Sequence, residues 1–483
     1  MDAEVAIVGA GPTGMMLAGE LRLAGAEVIV LEKLPQRTGE SRGLGFTART
    51  MEVFDQRGLL PRFGEIEFSD LGHFGGIPVD FGLLDGAHQA AKTVPQSHTE
   101  AVLEEWAVDL GADIRRGHEF ASYTETADGV TVEAVGPDGP YTLTAAYLVG
   151  SDGGRSRVRK AAGFDFPGTP ATMEMFLADV RGLDLRPRMI GETVPGGMVM
   201  SGNLPDGITR LIVCERGAPP QRRTAPPEYD EIVAAWKRLT GDDISHGEPV
   251  WLSSFGDATR LVTEYRRGRV LLAGDAAHVH LPAGGQGMNT GIQDAVNLGW
   301  KLAAVAGGRM PEALLDTYHV ERHAVGEQLM INTRAQGLLF LSGPEMQPLR
   351  AVMADLVGYD VVARHLAGMV SGLQIRYDVG GGTNALLGAR MPKRELTGDR
   401  LVADTTQALR GGRGVLFDLA DNAVLRRRAA GWSDRVDIVT ATAAGLGGNR
   451  AVLVRPDGHV AWAAPGSHDD LPTALRRWFG EAR

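Results

Sequence analysis

A glycine-rich segment near the N-terminus has the residue types and spacing that bind phosphate groups. The segment Gly9-Ala10-Gly11-Pro12-Thr13-Gly14 follows an apolar run at residues 5–8 and precedes an apolar segment with helical periodicity that ends near Gly25. A second apolar run, at residues 28–31, ends at Glu32. The order strand, GxGxxG turn, helix, strand and acid is the full dinucleotide-binding pattern. The sequence therefore predicts a dinucleotide site at the N-terminus of the first helix.

Each residue of this pattern has a physical role in the predicted site. Gly9 permits the tight turn, Gly11 lets backbone N–H groups approach a pyrophosphate, and Gly14 lets the helix pack closely on the strand. The Glu32 carboxylate can accept hydrogen bonds from both hydroxyls of an adenosine ribose and would repel a 2′-phosphate. The site is therefore expected to bind FAD or NAD rather than NADP. Three neighbouring residues are assigned to the same site: Pro12, Thr13 and Lys33.

Composition limits the class of protein. The chain has 483 residues, a net charge of −11 and 43% hydrophobic residues, which suits a globular protein of roughly three domains. Its single cysteine, Cys214, excludes an internal disulfide, a CxxC pair and a zinc knuckle, and suits a reducing cytoplasm. The acidic balance argues against nucleic acid as a partner, and no apolar run approaches the ~18 residues that span a membrane. The clustering of glycines at strand-to-helix transitions favours an α/β fold.

Two further motifs lie at the ends of predicted strands. Residues 147–159 form a predicted strand, a turn at Asp152-Gly153 and a helix start, and residues 269–278 form a strand that ends at Gly274-Asp275. Segments 152–159 and 274–302 resemble the DG and flavin-ribityl motifs of the class A flavoprotein monooxygenases. The resemblance extends over about residues 1–380, in an order that matches the family.

Within this family, the chain is particularly similar to the aromatic polyketide hydroxylases. Segments 39–52 and 364–372 are similar to the angucycline 12-hydroxylases of the PgaE/CabE type. The resemblance implies an α/β fold with a Rossmann-like, p-hydroxybenzoate hydroxylase-like FAD-binding domain, an inserted β-sheet substrate domain and a C-terminal thioredoxin-like domain. The implied cofactor is FAD.

The resemblance also assigns flavin contacts to single residues. Glu32 would hold the adenosine ribose, the Phe120 backbone would touch the adenine, and Asp275 would bind the ribityl hydroxyls. Segment 284–289 precedes a helix, so its N–H groups would lie against N1 and O2 of the flavin, where the reduced ring is anionic. The family often has a second proline where this chain has Ala283. The other assigned contacts are Arg42, Gly43, Gln96, Asp152, Gly153, Pro282, Gly285, Gly287, Met288 and Asn289.

The C-terminal segment has its own predicted topology. From residue 415 it contains the pattern strand, helix, strand, strand and helix, with an Arg-Pro-Asp-Gly turn at 455–458. Because this segment contains no cysteine, thiol exchange is excluded, and the domain is expected to be structural or to support dimerisation. The predicted domains are FAD-binding at 1–72, 93–165 and 265–380, substrate-binding at 73–92 and 166–264, and thioredoxin-like at 390–483.

Apolar, flexible residues in alternating segments are candidates for a substrate pocket. Such residues suit a flat polycyclic ligand, although ordinary core is an equally good interpretation. The candidates are Phe74, Gly76, Gly196, Gly197 and Met198.

The resemblance implies the reaction as well. No second GxGxxG occurs, so NADPH or NADH is expected to reduce FAD from a transient site. Oxygen would add at flavin C4a, and the hydroperoxide would transfer one oxygen atom to a phenolic ring. The implied substrate is a polycyclic aromatic polyketide of antibiotic biosynthesis, an angucyclinone hydroxylated at C-12. Positioning and exclusion of water are expected to dominate, so no catalytic base is assigned.

Other features bear on alternatives. His278 and His280 lack a third ligand, so no metal is expected, and Arg155, Arg157 and Arg159 fit a solvated helix face better than a nucleotide contact. A halogenase is excluded because no tryptophan is followed two residues later by another. A Baeyer-Villiger oxygenase acting on a polyketide stays open, as does a non-catalytic flavin- or pigment-binding protein. The oligomeric state also stays open, with a homodimer considered.

Overall fold

The computed structural model describes residues 1–221, 223–398, 402–446 and 448–483. The first part of the chain contains β1 (Ala3–Val8), α1 (Pro12–Leu23), β2 (Val28–Glu32), β3 (Leu44–Phe46), α2 (Ala48–Gln56), β4 (Glu67–Ser69), β5 (Leu71–Phe74), β6 (Ile77–Asp80), β7 (Ala90–Pro95), α3 (Gln96–Asp109), β8 (Asp113–Arg116), β9 (Glu119–Glu125), β10 (Val130–Gly136), β11 (Gly139–Gly150) and α4 (Arg157–Ala161).

The middle of the chain alternates strands with one helix and then becomes helical. Its elements are β12 (Gly168–Thr169), β13 (Glu174–Arg181), β14 (Arg188–Val194), β15 (Gly197–Leu204), β16 (Ile208–Glu215), α5 (Tyr229–Thr240), β17 (Glu248–Gly256), β18 (Thr259–Leu261), β19 (Arg266–Arg267), β20 (Val270–Leu272), β21 (His278–Val279), α6 (Gln286–Ala306), α7 (Ala313–Leu341), α8 (Gln347–Val357) and α9 (Asp360–Ser371).

The largest sheet carries the predicted dinucleotide fold. It has eight strands, in the order β19-β20-β11-β1-β2-β8, with β10 and β9 continuing antiparallel from β11. Strand β1 pairs in parallel with both β2 and β11, and its Val5, Ala6 and Ile7 are fully buried, as expected for a central parallel strand. The predicted strand, turn, helix and strand at the N-terminus are therefore confirmed.

Helix α6 packs directly on α1 because glycine leaves room between them. A Cβ at Gly291 would lie 2.3 Å from Thr13 Oγ1, and a Cβ at Gly299 would lie 2.4 Å from the Cβ of Glu20. Side chains at either position would push the two helices apart. This contact fixes the start of α6 relative to the glycine-rich turn that precedes α1.

A separate five-stranded antiparallel sheet has the order β14-β15-β16-β13-β17. One face packs on α5, with Val199 and Leu211 against Trp236. The other face presents Met175 and Met198, among other side chains, toward the segment before α6. The alternation of side chains along the strands thus gives this sheet one face covered by α5 and one face directed toward the segment before α6.

Residues 73–92 differ from their prediction as part of that sheet. Strands β5 and β6 form a hairpin with each other, and β7 pairs with β3 and β4. The physical reason is that Phe74 and Val79 bury their side chains against Leu339 and Leu366, which lie on α7 and α9. The hairpin therefore belongs with the helices, at the edge of the space between the two sheets.

The C-terminal part folds as a four-stranded mixed sheet. It contains β22 (Gly414–Asp418), α10 (Ala423–Ala429), β23 (Val436–Thr440), β24 (Ala451–Val454), β25 (Val460–Ala464) and α11 (Leu471–Phe479). The strand order is β23-β22-β24-β25, with β22 and β23 parallel and the other pairs antiparallel. The structure has three consecutive strands, β23, β24 and β25, between the two helices where the sequence predicted two, and the rest of the predicted order is confirmed. Within the described ranges, no helix combines the length and the apolar character needed to cross a membrane.

Candidate functional site

The glycine-rich turn has the geometry of a phosphate cradle. Gly9 has a φ of +106°, and a Cβ at Gly14 would lie only 1.9 Å from the carbonyl oxygen of Gly9. At Gly11, by contrast, a Cβ would meet none of the described atoms within 4 Å, its chain neighbours aside. Gly9 and Gly14 are therefore required by the protein's own packing, whereas Gly11 borders open space at the N-terminus of α1. Pro12 and Thr13 form the first turn of that helix.

Glu32 is fixed beside this turn. One carboxylate oxygen accepts a hydrogen bond from the Ala10 N–H (2.9 Å), and the other accepts one from the Leu34 N–H (2.9 Å). Each carboxylate oxygen has two acceptor sites, so capacity for ligand hydroxyls remains. The adjacent Lys33 is exposed. The carboxylate thus stands at the end of β2, next to the opening at Gly11.

The Asp152 carboxylate caps α4. It accepts hydrogen bonds from the Ser156 hydroxyl and from the backbone N–H groups of Arg157 and Val158. Asp152 therefore shapes the turn, while Gly153, with a φ of +79°, borders open space like Gly11.

Arg159 corrects the expectation of a solvated helix face. Its side chain is buried and donates to the carbonyl oxygens of Ala276 (2.9 Å) and Gly154 (2.8 Å). It therefore ties the turn after β11 to the turn after β20. Arg157 Nη1 donates to the carbonyl oxygen of Phe120 (3.2 Å), the residue whose backbone was assigned to adenine. Arg155 is exposed.

Asp275 lies at the floor of the cleft between these motifs. Its side chain is exposed to the open cleft, but desolvation by the surrounding protein raises the pKa of its carboxyl, against the opposing effect of nearby His278 and Arg42. The preceding Gly274 has a φ of +61°, and a Cβ there would lie 2.6 Å from Thr13 Oγ1. The turn at 274–275 and the glycine-rich turn are thus in direct contact.

Asp294 is a functional residue that the motifs did not single out. It is fully buried; one oxygen accepts the Gly274 N–H (3.0 Å) and pairs with His278 Nε2 (2.8 Å), and the other accepts Arg322 Nε (2.6 Å). Burial opposes ionisation, but Arg322 and His278 hold the pKa of Asp294 below its usual value. Its position inside an apolar helical stretch, next to Ala295 and Val296, is the signal that could have identified it.

The segment before α6 is a loop with two consecutive left-handed glycines. Gly284 and Gly285 have φ values of +69° and +65°, and α6 begins immediately afterwards at Gln286. Buried Asn289 stabilises this shape, because its side chain donates to the Gly285 carbonyl oxygen (2.8 Å) and accepts the Thr47 N–H (2.9 Å). The loop starts at Pro282 and continues into Gly287 in the first turn of α6. It presents backbone N–H groups at a helix N-terminus.

Two predicted contacts from distant parts of the sequence, Gly43 and Gln96, meet beside this loop. The Gly43 N–H donates to Gln96 Oε1 (3.3 Å), and the Gln96 N–H donates to the Gly43 carbonyl oxygen (3.0 Å). A Cβ at Gly43 would lie 3.5 Å from the methyl carbon of Met288. Arg42, next in sequence, is exposed at the same rim.

The predicted pocket residues fall in several places. Met198 lies on the sheet face that looks toward the loop, but Gly196 and Gly197 pack against Leu239 on the other side, and Phe74 is core under α9. Gly76 contacts the ring of Phe340. That sheet face is richer in methionine than predicted, and it packs against α7 and the segment before α6. The resulting cluster, here called the methionine-rich face, has these members: Met173, Met175, Met198, Met200, Ile212, Cys214 and Phe255 on or beside the sheet, Phe340 and Leu341 on α7, and Leu281 and Ala283 before α6.

His278 and His280 are not arranged as metal ligands. His278 pairs with Asp294, and His280 Nδ1 lies 2.7 Å from the Leu281 carbonyl oxygen. Burial lowers the pKa of His280 to about 4, so its ring is neutral near pH 7. In the part of the chain that is described, no group of three or more His, Cys, Asp or Glu side chains could hold a metal ion.

A separate cavity of about 290 Å³ borders the start of α6. It lies between α6, α7 and the segment after α9, and it opens to solvent beside the exposed Ala324 and Gln328. Its lining includes the side-chain amides of Gln286 and Asn332. The lining of the cavity shares no residue with the methionine-rich face.

Fold and site together define a flavin-binding oxidoreductase, and comparison with known proteins gives the family. A family model described as FAD binding domain matches residues 2–333, and one described as aromatic-ring hydroxylase, C-terminal, matches residues 384–482. The chain belongs to this family of FAD-dependent aromatic-ring hydroxylases. The predictions of the fold class, of FAD as cofactor and of a monooxygenase are confirmed.

Individual relatives agree with this assignment. The solved structure of BexE, studied for oxidation during BE-7585A biosynthesis, is 70% identical with a TM-score of 0.96, and that of CabE, an aromatic hydroxylase from angucycline biosynthesis, is 66% identical with a TM-score of 0.97. Both matches cover 100% of each chain. Anhydrotetracycline monooxygenase of Streptomyces rimosus is 44% identical over 506 residues, covering 99% of each chain. The enzyme is therefore a FAD-dependent monooxygenase of the aromatic polyketide hydroxylase group.

Proposed function

We propose that this enzyme uses NADPH or NADH and O2 to hydroxylate a polycyclic aromatic polyketide, an angucyclinone, at C-12. The observation that carries the proposal is the methionine-rich face, where the five-stranded sheet meets α7 and the loop that precedes α6. Methionine and aromatic side chains adapt to a flat, apolar ring system. The similarity to CabE, described as an aromatic hydroxylase from angucycline biosynthesis, supports this choice of substrate class.

The open space along the cleft fits FAD. Gly11, Gly153 and Gly285 each border space where a Cβ would touch none of the described atoms within 4 Å, chain neighbours aside, and they lie in the turns that precede α1, α4 and α6. We assign the adenosine ribose to Glu32, the pyrophosphate to Gly11, the ribityl chain to Asp275, and the flavin ring to the loop that includes Gly285. Arg42, Gly43, Gln96 and Met288 would line the rim.

When bound, FAD supplies the chemistry that activates oxygen. The chain's own residues bind and orient it and keep water away. The N–H groups at the start of α6 would stabilise negative charge on the flavin, and the apolar cluster that includes Met198 and Phe340 would keep water away from it. The neutral ring of His280 adds no positive charge near pH 7. Positioning, rather than an acid–base residue, is the protein's main contribution.

The test uses the purified yellow holoenzyme with an early angucyclinone. We expect substrate to accelerate NADPH or NADH oxidation and the product to gain the mass of one oxygen atom with its aromatic rings intact. Assays with each nucleotide separately identify the preferred reductant, and the position of the new hydroxyl group is determined by NMR. A ring-opened lactone would indicate Baeyer-Villiger chemistry instead. Bound FAD without substrate-stimulated oxidation would favour a flavin- or pigment-binding protein.

A further inference from the structure

Three buried side-chain amides form an unbroken chain between the β5–β6 hairpin and the loop before α6. The Gly75 N–H donates to Gln336 Oε1 (3.1 Å), and Gln336 Nε2 donates to Asn332 Oδ1 (2.9 Å). Asn332 Nδ2 then donates to Gln286 Oε1 (2.8 Å), and Gln286 Nε2 donates to the Ala283 carbonyl oxygen (3.1 Å). Each amide accepts on one side and donates on the other.

All hydrogen bonds of the chain point in the same direction, and its three side chains are buried, although Gln286 and Asn332 also border the cavity described above. Gln336, Asn332 and Gln286 are at most 5% exposed. Because every N–H···O bond points the same way, each bond polarises the next, and the chain responds as a unit. Primary amides do not titrate, so this connection does not depend on pH. Asn332 and Gln336 stand four residues apart on α7 and therefore share one helix face.

One end of the amide chain lies at the tip of the β5–β6 hairpin, and the other end lies at the loop before α6. Gly75 and Gly76 form the hairpin tip, with φ values of +57° and +85°, and this tip contacts Leu339 and Phe340. Phe340 belongs to the methionine-rich face. Ala283, at the other end, directly precedes the two left-handed glycines of the loop. A displacement of the tip changes the first bond of the chain, and a shift of the loop changes the last.

We propose that Gln336, Asn332 and Gln286 are positioning residues that couple the hairpin tip to the loop before α6. In this role, which rests on the proposed function, an aromatic substrate seated against Phe340 holds the tip in place, and the amide chain holds Ala283 and the loop in the shape that binds the flavin ring.

The decisive comparison is between Gln336→Met and Thr333→Val, both on α7. Gln336→Met keeps the side-chain length and removes two bonds of the chain. Thr333 is also fully buried, and its hydroxyl donates to the Leu329 carbonyl oxygen (2.8 Å) within the helix, so Thr333→Val removes a buried hydrogen bond that is unconnected to the loop. Thermal unfolding of both variants measures the purely structural cost.

Two readouts separate positioning from stability. The first is the Kd of FAD for the apoprotein, measured by quenching of flavin fluorescence; the second is the amount of hydroxylated product per NAD(P)H oxidised, with hydrogen peroxide as the remainder. We expect Gln336→Met to weaken FAD binding and to lower product yield by roughly three- to tenfold, the effect of one or two lost buried hydrogen bonds. Asn332→Leu should give the same change, and the double variant no more than either single one. Thr333→Val should leave both readouts unchanged.

The outcomes distinguish this inference from the proposed function. If Gln336→Met and Thr333→Val give the same FAD Kd and the same product yield, the coupling is overturned. If the wild-type enzyme forms no hydroxylated angucyclinone, the proposed function fails, and the FAD titration still tests the positioning role by itself.

Discussion

At the scale of single residues, the site depends on a side chain that binds no ligand in the proposed arrangement. Asp294 accepts the backbone N–H of Gly274, is paired with the charge of Arg322 and lies 2.8 Å from His278 Nε2. Because Gly274 precedes Asp275, this carboxylate sets where the predicted ribityl contact stands. The motifs predicted the residues that line the cleft, but not the buried acid behind them. Its partners come from elements that only the tertiary fold brings together, so local pattern could not show the pairing.

Asp294→Asn is expected to weaken both FAD binding and the fold. The change leaves Arg322 buried without its counter-ion, and breaking such a pair costs about 3–5 kcal/mol. We expect the FAD Kd of the apoprotein to rise at least about tenfold, since a shift of Gly274 of under one ångström misplaces Asp275. Asp316→Asn is the matched control: Asp316 pairs with Arg266 at 3.1 Å, but its side chain is 71% exposed, so the change should stay within about 0.5 kcal/mol. Equal unfolding free energies for the two variants would contradict this role.

At the scale of elements, helices and strands could be predicted from the sequence, but the neighbours of a strand could be predicted only where a local motif fixes them. The unit β1, α1 and β2 was predicted correctly, and so was the order of elements after residue 414 apart from one strand, because buried strands and turn residues are visible in short windows. The β5–β6 hairpin was assigned to the wrong neighbours, because an alternating pattern shows that a strand has an apolar face but not which surface covers it. The Arg-Pro-Asp-Gly turn at 455–458 was recognised as a turn, yet nothing local indicates that it is buried.

The glycine-rich turn gives a prediction that separates folding from binding. Gly11 has a φ of −77°, which alanine adopts easily, and a Cβ there would enter open space. Gly11→Ala should therefore unfold within about 0.5 kcal/mol of the wild type, while FAD binding weakens at least about tenfold because the methyl group occupies the path of the pyrophosphate. Gly14→Ala should instead destabilise the protein by about 1–3 kcal/mol or more, since its Cβ meets the Gly9 carbonyl oxygen at 1.9 Å. Denaturant unfolding and FAD titration of both variants provide the check; an unchanged FAD Kd in Gly11→Ala would place the pyrophosphate elsewhere.

At the scale of the whole molecule, the C-terminal domain is joined to the rest by a buried turn. Arg455 makes two hydrogen bonds to Glu321 on α7 (2.6 and 2.9 Å), and its guanidinium lies 4.5 Å from the centre of the Trp478 ring. The carbonyl oxygens of the turn accept bonds from Arg49 on α2 and from Arg57, the residue that follows α2. Glu321 is adjacent to Arg322, so the same turn of α7 connects the C-terminal domain with Asp294. The C-terminal domain therefore helps to hold the part of α7 that contacts Asp294.

Arg455→Met tests whether the two regions unfold as one. The buried set around the turn balances its charges, with Glu321 and Asp457 opposite Arg455 and Lys301. Losing Arg455 leaves excess negative charge in the interior and should cost about 3–5 kcal/mol. Adding Glu321→Gln removes one negative charge as well, so the double variant should be less destabilised than the sum of the two single variants. Denaturant unfolding followed by tryptophan fluorescence and by flavin release should show one shared transition that moves with each variant. If the changes in unfolding free energy were strictly additive, or if Arg455→Met did not shift the transition measured by flavin release, the C-terminal domain would be attached without stabilising the flavin site.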